Sequence, residues 1–515
     1  MTKIVVGVDS STQSTKSIAW NVKGEALAEG RCDIPISNPS MFFFEQNPED
    51  WWSAFCKASS ELNQQINPSD VEAIAISNQR ETIGYFDKDG NSVFPAQVWM
   101  DERARKEVAE FCDLMGGEDV IRNITGRPAD TCPCVYRVYW MKKNHPELYK
   151  KIDFFSDVHS YLLKKLSGKF HGGWISLDPH GMFDLQKKEL SNEILNLLEL
   201  DTSRFPDFSA PGSQIGEISN EASNLTGFKE GTPIIAAGGD GQLAGLGTNC
   251  TKSDRAYINL GTAVVSGVWS KDYHVSNAWR TEIAAQGEGY IFENCLKSGA
   301  FLINWFADQF VPGDRKDKNF FTKLEAEASK IAIGSDGLMT QPYWSACMDP
   351  HWDVSARGTI TGFSPSHSPA HMYKSILEGI TLNQVMATFE MEKQSGLEIK
   401  EYLAIGGGAH SPLWRQMLAD ASGKNVLISD TVEASSLGAA MLAAYGAGWY
   451  STIEKAANSM AGETKSFNPD PSKREIYDEL LDIYKDIYHA TANINNRLVD
   501  FAAKRSKSED INEKS

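Results

Sequence analysis

The apolar positions of the chain begin in short blocks. Residues 3–9 (KIVVGVD) and 16–22 (KSIAWNV) are two runs of strand length, and the polar stretch SSTQST separates them. A third run, ALAEGRCDI at 26–34, follows a tight-turn signal around Gly24. The period then changes. NPEDWWSAFCKASSELNQQI at 47–66 predicts a helix, with Pro48 near its start and Glu49 and Asp50 in its first turn. VEAIAISNQ at 71–79 reads as a buried strand, and ETIGYFDKDGNSV at 81–93 as strand, Asp-Gly turn, strand. Helical patterns fill roughly 100–200. TPIIAAGGDGQLAGLG at 232–247 is a strand entering a glycine-rich turn and a small-residue helix.

Near residue 253 the pattern restarts. RAYINLGTAVVSGVW at 255–269 is again strand, small turn, strand, so the two hairpins are expected to be equivalent parts of two related halves. YLAIGGGAHSPLWRQMLADASG at 402–423 predicts strand, glycine turn and helix, and SSLGAAMLAAYGAG at 435–448 an alanine-rich helix ending at glycine. A last helix is expected over 474–496, followed by a polar, frayed tail at 501–515. Strands alternating with helices in two halves predict two α/β domains, 1–252 and 253–500, with the ligand in the cleft between them.

Composition narrows the function classes. Hydrophobic residues make up 41% and charged residues 23%, a globular balance. The formal net charge of -18 opposes a phosphodiester backbone, so nucleic acid is not an expected partner. It does not oppose a nucleotide, because backbone amides and a metal can hold phosphates locally. The eight cysteines are scattered, and TCPC at 131–134 has no matching second pair, which points to reduced thiols rather than disulfides or zinc. The first residues form a strand pattern rather than a charged-then-apolar leader, and no run of about 18 apolar residues occurs. A cytoplasmic location without a membrane span is therefore expected. His367 and His371 are four apart, but Pro365 and Pro369 break the helical spacing a zinc pair needs.

Four glycine- or hydroxyl-rich turns follow apolar strands: DSSTQSTK at 9–16, GGDGQLAGLG at 238–247, NLGTAV at 259–264 and AIGGGAHS at 404–411. Small residues let backbone N–H groups approach an anion, and hydroxyls add donors, so four such turns point to polyphosphate binding. Neither a P-loop nor a dinucleotide fingerprint is present. Asp240, directly after a strand, suits either a helix N-cap or a base that takes a proton from a hydroxyl attacking phosphorus. Asp9 suits either a turn or Mg²⁺, and Lys16 either phosphate or the surface. The run Asn78, Gln79, Arg80, Glu81, Thr82 could grip vicinal hydroxyls or form an ordinary solvated loop. Trp99, Asp101 and Arg103 offer an aromatic wall with polar neighbours, although Trp99 fits a core equally well.

Taken together, these stretches resemble the FGGY family of carbohydrate kinases over about 3–490. The quoted matches are GVDSSTQSTK, EQNPEDWW, VWMDERA, GGDGQLAGLG, NLGTA, IGGGAHSPLWRQMLADASG, and PHWDVSARGTITGF followed by HMYKSILEGI, all in the family's order. The resemblance implies two actin-like domains of the ribonuclease-H type, hinged over a cleft that closes on its ligands. It implies ATP and Mg²⁺ as cofactors and Asp240 as general base. Thr12, Gln13, Ser14 and Lys16 would face phosphates from one side, and Gly261 and Thr262 from the other. Gly407, Gly408 and Ala409 would line the nucleotide pocket with Asn304 near the adenine, and Asp9 would place the metal. Arg80, Glu81, Gln79, Trp99, Asp101 and Gln242 would bind the acceptor. The family commonly has glycine where Ser11 stands.

The acceptor is read from mixed signals. NQRET and HWDVSARG look like glycerol kinases, in which an Arg-Glu pair holds glycerol hydroxyls. The segment ITGRPADTCPCVYRVYWMKKNHPELYKKID is closer to xylulokinases, which usually carry Met-His where Arg80 and Glu81 stand. The expected partner is a small sugar or polyol, first a ketopentose such as xylulose. Glycerol, a four-carbon polyol or a bacterial quorum signal is the alternative, and a non-catalytic actin-like nucleotide binder the remaining one. A homodimer is one candidate assembly.

Overall fold

The computed structural model describes residues 3–40, 42–429, 433–462 and 464–512. Two sheets organise it, and their central strands follow one plan. In the first, Ala26–Asp33, Ser14–Trp20, Ile4–Ser10, Val71–Asn78 and Pro233–Ile235 lie side by side in that order. In the second, the matching order is Tyr290–Leu296, Val264–Ser270, Arg255–Leu260, Glu401–Ile405 and Asn425–Ser429. In both sheets the first three strands are antiparallel and the last two join in parallel. The two hairpins expected to be equivalent hold the same place, each turning through three residues, Ser11–Thr12–Gln13 and Gly261–Thr262–Ala263.

The strand patterns explain the layers. Val5, Ala73 and Ala75 face one core, while Ile4, Val6, Val8, Ile74 and Ile76 face another. These strands are covered on both sides, which is why they read as continuous apolar runs rather than alternating ones. The second sheet divides likewise, with Ile258, Tyr402 and Ala404 on one face and Tyr257, Leu403 and Ile405 on the other. Helix Pro48–Asn63 is capped by Asn47, whose side chain accepts from the Glu49 N–H, and it buries Trp51, Ala54, Phe55, Ala58 and Leu62 at helical spacing.

The halves are sewn together by a helix from the second. Helix Ala434–Gly446 buries Leu437, Ala440 and Met441 in the core beneath the first sheet. Its Ser436 Oγ donates to the Gly7 carbonyl at 2.9 Å and accepts from Trp20 Nε1 at 3.1 Å. It crosses helix Asp240–Gly247 at backbone contact: a Cβ on Gly438 would lie 2.0 Å from the Leu243 carbonyl oxygen, and one on Gly247 2.0 Å from that of Ala434. The alanine and glycine content of both segments is the sequence trace of this approach.

The last helix runs Arg474–Asn512, beyond the 474–496 expected and through most of the segment read as a frayed tail. Arg497 and Asp500 continue its polar helical face, so a polar composition here did not mark the end of the helix. All eight cysteines are free, as expected from their scatter. Among the described residues no helix is long and apolar enough to cross a membrane.

Candidate active site

Asp240 opens helix Asp240–Gly247, but Gly239 holds the cap position, so the capping alternative does not apply. Asp240 Oδ1 accepts from the Gly241 N–H at 2.8 Å and from Arg80 Nε at 3.1 Å. Among the described residues its Oδ2 has no hydrogen bond. The side chain keeps 38% of its surface open. Loss of hydration raises the Asp240 pKa above the ordinary carboxylate value; Arg80 opposes this, and Glu81 and Glu293 add to it.

Behind Asp240 lies a buried ion network that joins the two halves. Arg80 Nη1 grips Glu282 at 2.7 and 2.6 Å, and its Nη2 lies 3.1 Å from Glu293. Arg127 bonds Glu81 at 2.6 Å and Glu282 at 2.7 Å. Arg280 holds Glu293 through Nε at 2.7 Å, and Tyr257 donates to Glu293 at 2.6 Å. Burial works against the Glu293 charge, yet Arg280 and Arg80 hold its pKa down at about 2. Sequence reasoning missed Arg127, Tyr257, Arg280, Glu282 and Glu293. One signal was legible: Arg280 and Glu282 point to one face of the fully buried strand Arg280–Ile283, where unpaired charges would be prohibitively costly.

Glu81 lies at φ 48°, in the left-handed region that non-glycine residues avoid. Arg137, fully buried, donates to its carbonyl and to those of Cys132 at 2.9 Å and Val98 at 2.5 Å. One guanidinium therefore fixes the segments carrying Glu81, Trp99 and Cys132. Trp99 Nε1 donates to Thr12 Oγ1 at 3.0 Å, linking the aromatic wall to the first turn. Gln79 is buried and donates to Gln46 at 2.8 Å. Asp101 is fully buried: its oxygens accept from the Phe44 N–H and from the backbone and guanidinium of Arg103. Its bonds shape the loop under Trp99. Gln242 donates to Asp178, while its Oε1 is buried without a partner.

In the first turn Asp9 lies beside Ser77 of the neighbouring parallel strand, whose Oγ donates to it at 2.9 Å. Burial, then the nearby Asp240 charge, raise the Asp9 pKa to about 7. Lys16 is not a free surface residue; it pairs with Glu433 at 2.5 Å across the two halves. Gln13 is exposed, and the Ser14 carbonyl accepts from both the N–H and Oγ of Ser11, at 3.0 and 2.9 Å. Ser11 thus closes the turn where the family commonly has glycine.

On the second half a cavity of about 1070 Å³ is lined by Gly261, Thr262, Asn304, Gly407 and Gly408 among others. A Cβ on Gly407 would meet nothing within 4 Å, so backbone there is open to an incoming group. Ala409 is buried immediately behind. Among the described residues no three His, Cys, Asp or Glu side chains converge on a metal position, the His367 and His371 pair included.

The profile of the FGGY family of carbohydrate kinases matches twice, its N-terminal domain over residues 4–247 and its C-terminal domain over 256–447. This chain belongs to the FGGY family of carbohydrate kinases. It is 27% identical to the xylulose kinase of Bacillus subtilis over 503 residues, covering 97% of this chain and 99% of that one. It is 22% identical to the gluconokinase of the same organism over 507 residues, covering 97% and 98%. Its fold is that of the solved, ligand-bound xylulose kinase of Lactobacillus acidophilus, at a TM-score of 0.90 and 22% identity, covering 96% of this chain and 100% of that one. This FGGY kinase therefore has the two actin-like domains expected of it. It is an ATP-dependent enzyme acting on a small carbohydrate.

Proposed function

We propose that the enzyme transfers the γ-phosphoryl group of Mg-ATP to a hydroxyl of a ketopentose such as xylulose, with Asp240 as general base. The observation that carries this reading is the state of Asp240. One oxygen is held by Arg80 and the helix N–H, and the other is left unbonded in an open position at the junction of the halves. The free oxygen takes the proton of the acceptor hydroxyl as that hydroxyl attacks phosphorus, and the bound oxygen keeps the carboxylate aimed. Burial raises its pKa above the ordinary carboxylate value, which strengthens it as a base.

The residues present fit a nucleotide and its metal. The 1070 Å³ cavity has backbone open at Gly407 and is lined by Gly261 and Thr262, and these two together with Thr12 and Gln13 of the matching turn would face the phosphates with small or polar residues. Asp9, Asp240 and Glu433 repel one another with Lys16 as the cation paired among them. A divalent ion arriving with phosphates would relieve that excess, with Asp9 its protein contact and phosphate oxygens and water its other ligands. Bound there, it would neutralise charge on the phosphate oxygens.

Full-length similarity to xylulose kinases favours the ketopentose. The Arg80–Glu81 pair had favoured glycerol, but the guanidinium of Arg80 and the Oε1 of Glu81 are engaged in the ion network, which weakens that reading. ADP release measured over xylulose, ribulose, erythritol, glycerol and gluconate is expected to be fastest with xylulose. Asp240→Asn is expected to lower kcat by about 10²–10⁴-fold with ATP binding retained. A panel in which no sugar stimulates ADP release, or an Asp240→Asn enzyme of normal turnover, overturns the proposal.

A further inference from the structure

Strand Tyr290–Leu296 carries Glu293, which touches Arg80 behind Asp240. Side chains two apart share a strand face, so Cys295 and, just past the strand end, Lys297 continue the same line. On the opposite half, the segment that begins at Arg127, which is bonded to Glu81 and Glu282, runs on to Asp130 and Cys132. Between these lines Cys132, Cys295 and Met348 pack with Trp99, Val265 and Trp352 in one small apolar cluster drawn from both halves.

Two residues along the chain from Cys132 and from Cys295, two charged groups are left incompletely paired. Asp130 is 7% exposed; its Oδ1 accepts from the Thr131 N–H and Oγ1, the Cys132 thiol lies close enough to help hold its pKa down, and its Oδ2 is buried and, among the described residues, makes no hydrogen bond of good geometry. The Lys297 side chain is 13% exposed and has, among the described residues, one carboxylate within ion-pair range, Glu102 at 3.7 Å, and no hydrogen bond. Burial opposes both charges, yet each sustains the other: Lys297 leads the groups that lower the Asp130 pKa, and Asp130 those that raise that of Lys297. They are therefore near enough to feel one another and too far apart to bond. A buried acceptor and a nearly buried donor left in this state cost stability unless a third polar group joins them.

We infer that Asp130 and Lys297 form the acceptor subsite remote from the transferred phosphoryl, bridging a neutral hydroxyl or carbonyl group at the far end of the sugar. The inference rests on the kinase reading above and narrows its substrate class. A hydroxyl donates to Asp130 Oδ2 and accepts from Lys297 Nζ; a carbonyl accepts from Lys297 alone. Charge at this end is already balanced, with Lys297 between Asp130 and Glu102, and Arg105 3.5 Å from Glu102. The carboxylate of an aldonate would add an uncompensated negative charge beside Asp130. The subsite therefore selects a neutral ketose or polyol over gluconate.

The test is steady-state kinetics with xylulose, glycerol and gluconate on the full-length enzyme and the variants Lys297→Met, Lys297→Arg and Asp130→Asn. Lys297→Met and Asp130→Asn are expected to raise KM for xylulose at least about tenfold, as loss of a charged hydrogen bond does. KM for ATP stays within twofold, and Asp130→Asn, which removes the charge that repels a carboxylate, narrows the preference for xylulose over gluconate. Lys297→Arg, which keeps the charge and donors, recovers most of the affinity and shows that folding is intact. Unchanged xylulose KM in Lys297→Met and Asp130→Asn, with Asp240→Asn inactive, overturns the subsite and leaves the kinase reading standing. Gluconate used in preference to xylulose overturns the neutral class. No sugar-dependent ADP release in wild type sinks the kinase reading itself.

Discussion

Arg80 Nε donates to Asp240 Oδ1 at 3.1 Å while the other two nitrogens of the same guanidinium are held by Glu282 and Glu293. The cation that holds Asp240 is thus shared with two buried carboxylates, and their demand on it sets how far Arg80 can depress the Asp240 pKa. A general base works only when ionised, so with Asp240 in the proposed role kcat/KM should fall as pH drops through a value above the ordinary carboxylate range. Glu293→Gln removes a charge that raises the Asp240 pKa and frees Arg80 for Asp240. The acid limb of the kcat/KM profile is expected to move to lower pH. A limb that stays in place or moves upward would contradict this coupling.

Asp9 gives a second, opposite use of pH. Its pKa is about 7 in the folded protein against an ordinary 3.8. The folded state therefore keeps a proton that the unfolded chain releases. Its contribution is fully present below the unfolded value and is lost as pH rises through about 7. Asp9→Asn keeps the acceptor for Ser77 and removes the titration. In the absence of metal and nucleotide, the melting temperature of the variant is expected to match wild type near pH 4 and to exceed it by a few degrees at pH 8. An equal gap at both values would show that the Asp9 proton plays no part.

Arg137 binds three backbone carbonyls in the dry interior. Arg137→Met leaves them unsatisfied and releases the left-handed backbone at Glu81. The expected cost is about 3 kcal/mol or more, at roughly 1 kcal/mol or above per buried carbonyl. Urea denaturation should show the loss as a lower midpoint. Where the variant remains folded, KM for the sugar should rise more than KM for ATP, because the loops it fixes carry Glu81, Trp99 and Cys132.

Gly438 meets the Leu243 backbone so closely that a Cβ would come within 2.0 Å of its oxygen. Gly438→Ala must push the two helices apart. A loss of about 1–3 kcal/mol is expected from overpacking, read by thermal melting. Gly448→Ala is no control, because that residue has φ 78°. Ala447→Gly, just beyond the same helix, should change stability by about 1 kcal/mol or less.

The sequence by itself determined the strand-and-helix order, the two matching hairpins, the four turns and the family. These are local properties: pleat and helix periods, turn chemistry and capping act over a few residues and leave their mark in the chain. Asp240 was legible for the same reason, since a carboxylate in a glycine turn after a strand is a local pattern. Tertiary structure alone decided what Arg80 and Glu81 do. Read locally they were free hydroxyl grips; folded, Arg80 meets Glu282 from 202 positions away, and Glu81 meets Arg127 from 46. It also decided that Lys16 pairs with Glu433 and that Asp101 turns inward to Arg103. Whether a charged side chain contacts a ligand or another charge depends on which distant segment excludes water around it, and no period or spacing records that.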